Sequence, residues 1–350
     1  MTIQDLLQMT IDKGASDLHL VTGYAPTLRI DGVLSPTSND VLDGKAIDSL
    51  LSVLLTPDQK STFAANHELD FSYGFNQGRF RVNAYFEKAS PAVSFRLIPL
   101  LVPTIDELNL PKICHNFTTL RKGFILVTGP TGHGKSTTIA AIIEEINQKV
   151  GGHILTIEDP IEYVYSKALG VVSQRELGQD TLSWSGALRA ALREDPNVVL
   201  IGEMRDYETI AAALTIAETG HLVFATLHTN SAAQTVDRIV DVFPENQQTQ
   251  VKLQLSNTLE AIICQRLLPA IGKGRVPATE ILVATPAARS IVREGKTYLI
   301  DNVIQTSRDL GMMTIDMSLA SLVATGKITY DVAAAYSENP ADVGALLKRQ

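Results

Sequence analysis

One stretch constrains this chain more than any other. Phe124-Ile-Leu-Val-Thr128 is followed by Gly129-Pro-Thr-Gly-His-Gly-Lys-Ser136, and then Ile139, Ile142, Ile143 and Ile146 recur at helical spacing. The apolar run reads as a buried strand and the isoleucines as one face of a helix. The eight residues between them fit G-x-x-x-x-G-K-[ST], the phosphate-binding loop pattern. Glycines let backbone N–H groups close around phosphates, and the N-terminus of the following helix adds positive potential. In such a loop Lys135 reaches the β- and γ-phosphates of a nucleotide and the Ser136 hydroxyl ligates Mg²⁺. Gly129, Pro130, Thr131, Gly132, His133, Gly134, Lys135 and Ser136, with the adjoining Thr137, are the candidate nucleotide-binding residues.

Around this unit, strands and helices alternate: strand 124–128, helix 135–148, strand 153–157, helix 183–193, strand 198–202, helix 207–218, strand 221–226. That order predicts an α/β domain with a mostly parallel sheet and helices on its faces. From about Asn246 the pattern turns helical, with Val251, Leu255, Leu259 and Ile262 as its apolar positions. The first part of the chain is different. Ile3, Leu6, Leu7 and Ile11 predict a helix, as do Ile47, Leu50, Leu51 and Leu54. Leu18/Leu20, Leu28/Ile30, Phe71/Tyr73/Phe75, Phe80/Val82/Ala84/Phe86 and Val93/Phe95/Leu97 alternate like strands, giving a small antiparallel sheet in a compact α+β domain. The expected organisation is an N-terminal domain over 1–97, a linker over 98–110 where Pro99 and Pro103 interrupt both periods, and a second domain over 111–350.

Composition excludes several classes. At 350 residues, with 45% hydrophobic and 19% charged residues, the chain has enough material for two cores. A net charge of −8 argues against a general grip on nucleic acid. Two cysteines, Cys114 and Cys264, supply neither a disulfide framework nor a Cys-rich zinc site and fit buried thiols in a reducing compartment. No apolar run reaches 18 residues and the N-terminus has no basic region, so neither membrane insertion nor a signal peptide is expected, and the expected location is cytoplasmic.

Binding a nucleotide is not hydrolysing it; that needs a positioned water and charge stabilisation at the γ-phosphate. Three stretches are candidates. Ile154-Leu-Thr-Ile-Glu158-Asp159 delivers two carboxylates at a strand end, suited to orienting Mg²⁺ or the attacking water, or else to capping a turn before Pro160. Val198-Val-Leu-Ile-Gly202-Glu203 ends a buried strand in an acid, as a Walker-B segment requires. Gly202 stands where Asp is common, so Glu203 is a better candidate for activating water than for holding the metal directly. His221-Leu-Val-Phe-Ala-Thr-Leu-His228 carries a histidine at each end of a strand; either is more often structural than catalytic, but His228 lies on the active edge of a parallel sheet and is placed to sense the γ-phosphate. Arg79, Arg81 and Arg96 lie on strands of the first domain. A strand arginine is usually solvated, whereas one reaching a neighbouring subunit's nucleotide acts as a finger, worth roughly 10³–10⁵ in rate.

Together these stretches resemble the type IV pilus retraction ATPases, the PilT family of the secretion-ATPase superfamily. Gly129–Thr137 is similar to the family's Walker A, with His133 where Ser is usual; LTIEDPIEY at 155–163 to its Asp box; VSQRELGQDT at 172–181 and ALREDPNVVLIGEMRD at 191–206 to its central segment and Walker B; AETGHLVFATLHTNSA at 217–232 to its His box; GASDLHL at 14–20 and RFRVN at 79–83 to its N-terminal domain. The resemblance covers nearly the whole chain and rests on the order and spacing of the boxes. It implies a PAS-like N-terminal domain followed by a RecA-like ATPase domain with a helical C-terminal region. It implies a homo-hexameric ring in which the N-terminal domain of one subunit packs on the ATPase domain of the next, with Arg81 or Arg96 completing a neighbour's site. It further implies ATP and Mg²⁺, an inner-membrane platform protein as partner, a place at the inner face of the plasma membrane, and pilus depolymerisation that drives twitching motility.

AARSIVREGK at 287–296 resembles the family's retraction motif, keeping Arg289, Arg293 and Glu294 and departing at Ala288 and Ser290. Arg289 and Arg293 are four residues apart and share a helix face, which is either a solvated surface or a coupling element. Pilus assembly and type II secretion ATPases share the ATPase boxes but usually add an N-terminal domain and a four-cysteine zinc module, for which this chain has no residues. An accessory PilU-type retraction ATPase and a slow, nucleotide-gated scaffold stay open.

Overall fold

The computed structural model describes residues 1–76, 78–99, 101–272 and 274–348. The chain divides into two compact units, one of Met1–Leu101 with Pro160–Val164 and one of Val102–Asp159 with Tyr165 onward.

In the first unit, helix α1 (Ile3–Asp12) starts at Thr2, which closes a capping box with Asp5. Strands β1 (Asp17–Leu20), β2 (Thr27–Ile30) and β3 (Val33–Pro36) follow, then helices α2 (Gly44–Ser52) and α3 (Pro57–Asn66), then β4 (Glu68–Phe75), β5 (Gly78–Glu87) and β6 (Ser90–Ile98). They form one antiparallel six-stranded sheet in the order β3-β2-β1-β6-β5-β4. Alternation decides its faces: Phe80, Val82 and Ala84 of β5 are buried with Val93 and Phe95 of β6 and with Leu6 and Leu7 of α1. The intervening Arg81 and Arg96 point to the other face and are exposed. Helix α3 escapes a periodicity search because it buries only Phe63.

The second unit opens with the short helix α4 (Ile113–Phe117) and continues β7 (Gly123–Thr128), α5 (Lys135–Lys149), β8 (Gly152–Glu158), β9 (Gly170–Glu176), α6 (Trp184–Ala191), β10 (Val198–Ile201), α7 (Tyr207–Glu218), β11 (Leu222–Leu227), α8 (Ala232–Asp241) and α9 (Glu245–Thr258). After these come β12 (Leu259–Pro269), β13 (Arg275–Val283), α10 (Pro286–Glu294), α11 (Ile300–Thr306), α12 (Ile315–Ala324), α13 (Tyr330–Tyr336) and α14 (Pro340–Leu347). The seven strands run in the order β13-β12-β7-β11-β10-β8-β9. All neighbours are parallel except β12 and β13. Both faces are covered. Phe124 and Leu126 of β7 join a core with α6, α7, α8 and α9, while Ile125 and Val127 join Ile139, Ile142, Ile143 and Ile146 of α5. This is the two-sided burial that a continuous apolar strand signals.

The helical reading beyond Asn246 needs correction at two of its positions. Val251 and Leu255 lie in α9, but Leu259 and Ile262 lie in β12, where Ile262 pairs with Leu126 of β7. Apolar residues four and three apart satisfy a helix, yet the run Leu259–Ile263 is equally a buried strand, and only the pairing with β7 decides. The return to helices begins at α10.

Candidate active site

The phosphate-loop residues sit between β7 and α5, and β12 shapes the loop from beneath. Gly129 has φ 139°, and a Cβ there would overlap the carbonyl oxygen of Gln265. Gln265 also donates from Nε2 to the His133 carbonyl at 2.8 Å and accepts from Thr138 Oγ1 at 2.7 Å. His133 Nδ1 accepts the Leu267 N–H at 3.0 Å, which requires an unprotonated Nδ1. Partial burial and the charges of Lys135, Arg275 and Arg266 push the proton affinity of this imidazole down, consistent with that role. His133 thus fastens the loop sideways to β12. Arg275 Nη1 adds a bond to the Gly132 carbonyl at 3.2 Å. Helix α5 starts at Gly134 with no side-chain cap, so its first N–H groups face the loop as an anion-binding end.

Strand order brings three of the predicted residues into one chain of contacts. Strand β11 lies between β7 and β10, so His228 just past β11 stands between the loop and Glu203 just past β10. Lys135 is buried and donates from Nζ to the carbonyls of Gly129 at 2.8 Å and Pro130 at 3.1 Å. The same ammonium lies 3.3 Å from His228 Nδ1, and His228 Nε2 lies 2.8 Å from Glu203 Oε1. A lysine only donates and a carboxylate only accepts, so the network assigns a bare Nδ1 and a protonated Nε2. Thr131 Oγ1 touches His228 Nδ1 as well, at 3.4 Å.

Glu203 follows a glycine for a steric reason. A Cβ at Gly202 would come within 3.2 Å of the Ile157 carbonyl and 3.3 Å of Glu158 Cα, so a larger residue at 202 would press on the end of β8. Thr226 Oγ1 fixes the Gly202 carbonyl at 2.5 Å. Arg205 Nη2 meets Glu203 Oε2 at 2.6 Å. That guanidinium, with His228, holds the Glu203 carboxyl below the usual carboxylate range despite partial burial.

The other predicted residues are placed elsewhere. Glu158 ends β8, three strands from β7, or about 14 Å at the usual strand spacing. It is buried and accepts from Thr156 Oγ1 at 2.7 Å and Gln174 Nε2 at 3.2 Å. Ser136 and Thr137 lie in the first turn of α5. His221 stands at the opposite end of β11, bonded to the Ile216 carbonyl and Thr219, and has a structural role there. Arg81 and Arg96 face each other across β5 and β6 in the first unit. Arg96 Nε pairs with Asp17 Oδ1 at 2.9 Å, and Arg29 approaches Asp17 from the other side at 3.8 Å. Among the described residues Arg81 makes no ion pair, so it is the freer guanidinium. Sequence reasoning missed Gln265 and Arg275, which have no motif. It also passed over Arg205, whose spacing two residues beyond Glu203 was the available signal.

In α10, Arg289 turns back onto the end of α9. Its Nη1 donates to the carbonyls of Ser256 and Asn257, its Nε to that of Ala284, and its Nη2 meets Glu260 Oε1 at 2.8 Å. Arg293 stays exposed and, among the described residues, bonds Ser290 Oγ alone, at 3.1 Å. The two arginines share a helix face in projection but not an environment.

Comparison with known proteins agrees with this architecture. A family profile described as type II/IV secretion system protein matches residues 104–276. The chain is 47% identical over 330 residues to a Pseudomonas aeruginosa protein named type IV pilus retractation ATPase PilT, covering 94% of this chain and 96% of that one. It is 37% identical to the type IV pilus ATPase PilU of the same organism, covering 99% and 92%. A crystal structure of the pilus retraction motor PilT with bound ADP superimposes with a TM-score of 0.91 at 43% identity, covering 100% of both chains. A phosphate loop, a lysine–histidine–glutamate chain at the ends of adjacent strands, and identity along nearly the full length lead to one conclusion: the chain belongs to the type IV pilus retraction ATPase family and is a P-loop ATPase of the type II/IV secretion class.

Proposed function

We propose that this ATPase is the motor that retracts type IV pili, working as a homo-hexameric ring at the inner face of the cytoplasmic membrane against a platform protein there. The observation that carries the catalytic part is the contact chain from Lys135 through His228 to Glu203. When ATP binds, its β- and γ-phosphates take the place of the Gly129 and Pro130 carbonyls as acceptors for Lys135. His228, which touches Lys135 through Nδ1 and Glu203 through Nε2, links the phosphate-bound ammonium to the carboxylate. Glu203 is anionic at neutral pH and, being a weak base, orients the attacking water more than it deprotonates it. That suffices for a loose phosphoryl-transfer transition state, which asks chiefly for positioning and charge.

Mg²⁺ fits the residues present. The Ser136 hydroxyl in the first turn of α5 is a hard oxygen ligand beside the phosphate loop, and the phosphates supply others. Glu158, three strands away, would act on the ion only through water. Arg81, exposed and without an ion pair among the described residues, is the better of the two arginines to reach a neighbouring subunit's nucleotide, since Asp17 already neutralises Arg96. The higher identity to the retraction ATPase than to the accessory PilU protein favours the principal motor. Microscopy of a deletion strain tests the reading: hyperpiliated cells that do not twitch are expected, whereas bald cells would indicate assembly instead.

A further inference from the structure

Glu280 is a buried acid that the reaction described above does not use. It lies on β13, is 3% exposed, and sits directly opposite Cys264 of β12. Its Oε1 accepts the backbone N–H of Ala232 at 2.7 Å. Ala232 is the first residue of α8, and α8 begins four residues after His228. The first N–H groups of a helix have no partner within it and carry the positive end of its dipole, so a carboxylate is the best acceptor available for one of them. Ser231 serves a second, accepting the Gln234 N–H at 3.2 Å. The segment from His228 to Ser231 therefore hangs between β11 and a helix start that β13 anchors.

We propose that Glu280 is a positioning residue for ATP hydrolysis: by holding the Ala232 N–H it fixes the segment that carries His228 against Lys135 and Glu203. The inference rests on the role proposed above for His228. It gives β13, the far edge of the sheet and a strand with no nucleotide motif, a direct hold on the catalytic chain.

The charge on Glu280 matters, because a carboxylate accepts more strongly than a neutral carboxyl. The groups facing it oppose one another. Asp301 of α11 and Glu338, between α13 and α14, disfavour the anion, while Arg266 of β12 and the Ala232 N–H favour it, and Cys264 across the strand pair is a protonated thiol. Burial is the largest influence and pushes the carboxyl up to about 7. Anchoring by the anion consequently strengthens as pH rises through neutrality.

The test is steady-state ATPase kinetics of the full-length protein from pH 6 to 8.5 for wild type, Glu280→Ala, Glu280→Gln, His228→Ala and the Glu280→Ala/His228→Ala double variant. Glu280→Ala is expected to lower kcat at least tenfold at pH 8 while KM for ATP stays within threefold. Wild-type kcat should rise at least threefold between pH 6 and 8.5. Glu280→Gln, which keeps an acceptor but no charge, should match wild type at pH 6 and lack that rise. The double variant should be no slower than His228→Ala alone, since a residue acting through another adds nothing once its target is gone. Wild-type kcat in Glu280→Ala, a preserved pH rise in Glu280→Gln, or multiplicative losses in the double variant would each overturn the inference. If Glu280→Ala does not fold, the pH profile of Glu280→Gln decides. Undiminished turnover in His228→Ala would instead refute the catalytic reading on which the inference stands.

Discussion

Replacing Arg289 by Ala separates two accounts of the segment 287–296. The side chain makes three bonds to backbone carbonyls and one ion pair with Glu260. Two of those carbonyls, Ser256 and Asn257, belong to the last turn of α9 and have no acceptor role within the helix. Arg289 and Glu260 are 26% and 29% exposed, so water can replace part of what is lost. Each charge-assisted bond to a carbonyl then contributes about 1 kcal/mol, and the ion pair less than about 1 kcal/mol. The sum is about 3 kcal/mol from the polar contacts alone. With a urea slope of about 3 kcal/mol per molar for a unit of this size, the unfolding midpoint of the second unit should fall by roughly 1 M. Arg293, exposed and bonded to Ser290, should shift it by less than about 0.2 M when changed to Ala. The assay is urea titration followed by far-UV circular dichroism for both variants, with twitching scored in parallel. An unmoved midpoint for Arg289→Ala combined with lost twitching would refute the structural account and assign the arginine to coupling.

Two further outcomes follow from buried groups. The Glu280 carboxyl is raised from 4.5 to about 7 in the folded chain, so folding is favoured when it is protonated; that contribution is complete below 4.5 and is lost as pH rises through about 7. Glu280→Gln should therefore stabilise the protein by about 3 kcal/mol at pH 8 and by far less at pH 5, read from urea midpoints at the two values. Burial pushes the Cys114 thiol up to about 12 and that of Cys264 well above its usual value, so neither should react with a thiol reagent such as 5,5′-dithiobis(2-nitrobenzoate) in native protein at pH 8, and both should react in denaturant.

What could be read from sequence was what is local. Strand β7, its loop and α5 follow one another along the chain, so pattern alone located Lys135 and Ser136. Glu203 and His228 could be singled out because each ends an apolar strand. Their meeting could not, because it depends on β11 inserting between β7 and β10, against the order of the strands in the chain. The same limitation misassigned Leu259 and Ile262, whose spacing suits a helix until β12 pairs with β7. Strand β9, Gly-Val-Val-Ser-Gln-Arg-Glu, shows no clean alternation because it forms the edge of the sheet with much of its length partly exposed. Arg289 looked like a surface charge since its acceptors are main-chain oxygens, which leave no trace in composition. Glu280 was hidden for a similar reason: its partner is a backbone N–H presented by a helix that begins 48 residues earlier.

The most direct measurement of the central claim is paired nucleotide binding and turnover in Glu203→Gln. The amide keeps the size of the side chain and an acceptor for His228 but removes the anion proposed to orient water. The account predicts ATP affinity within threefold of wild type, measured with a fluorescent nucleotide, and steady-state turnover reduced at least a hundredfold, about 2.7 kcal/mol in the barrier. Turnover near the wild-type rate would contradict it, and with it the assignment of the Lys135–His228–Glu203 chain as the catalytic centre.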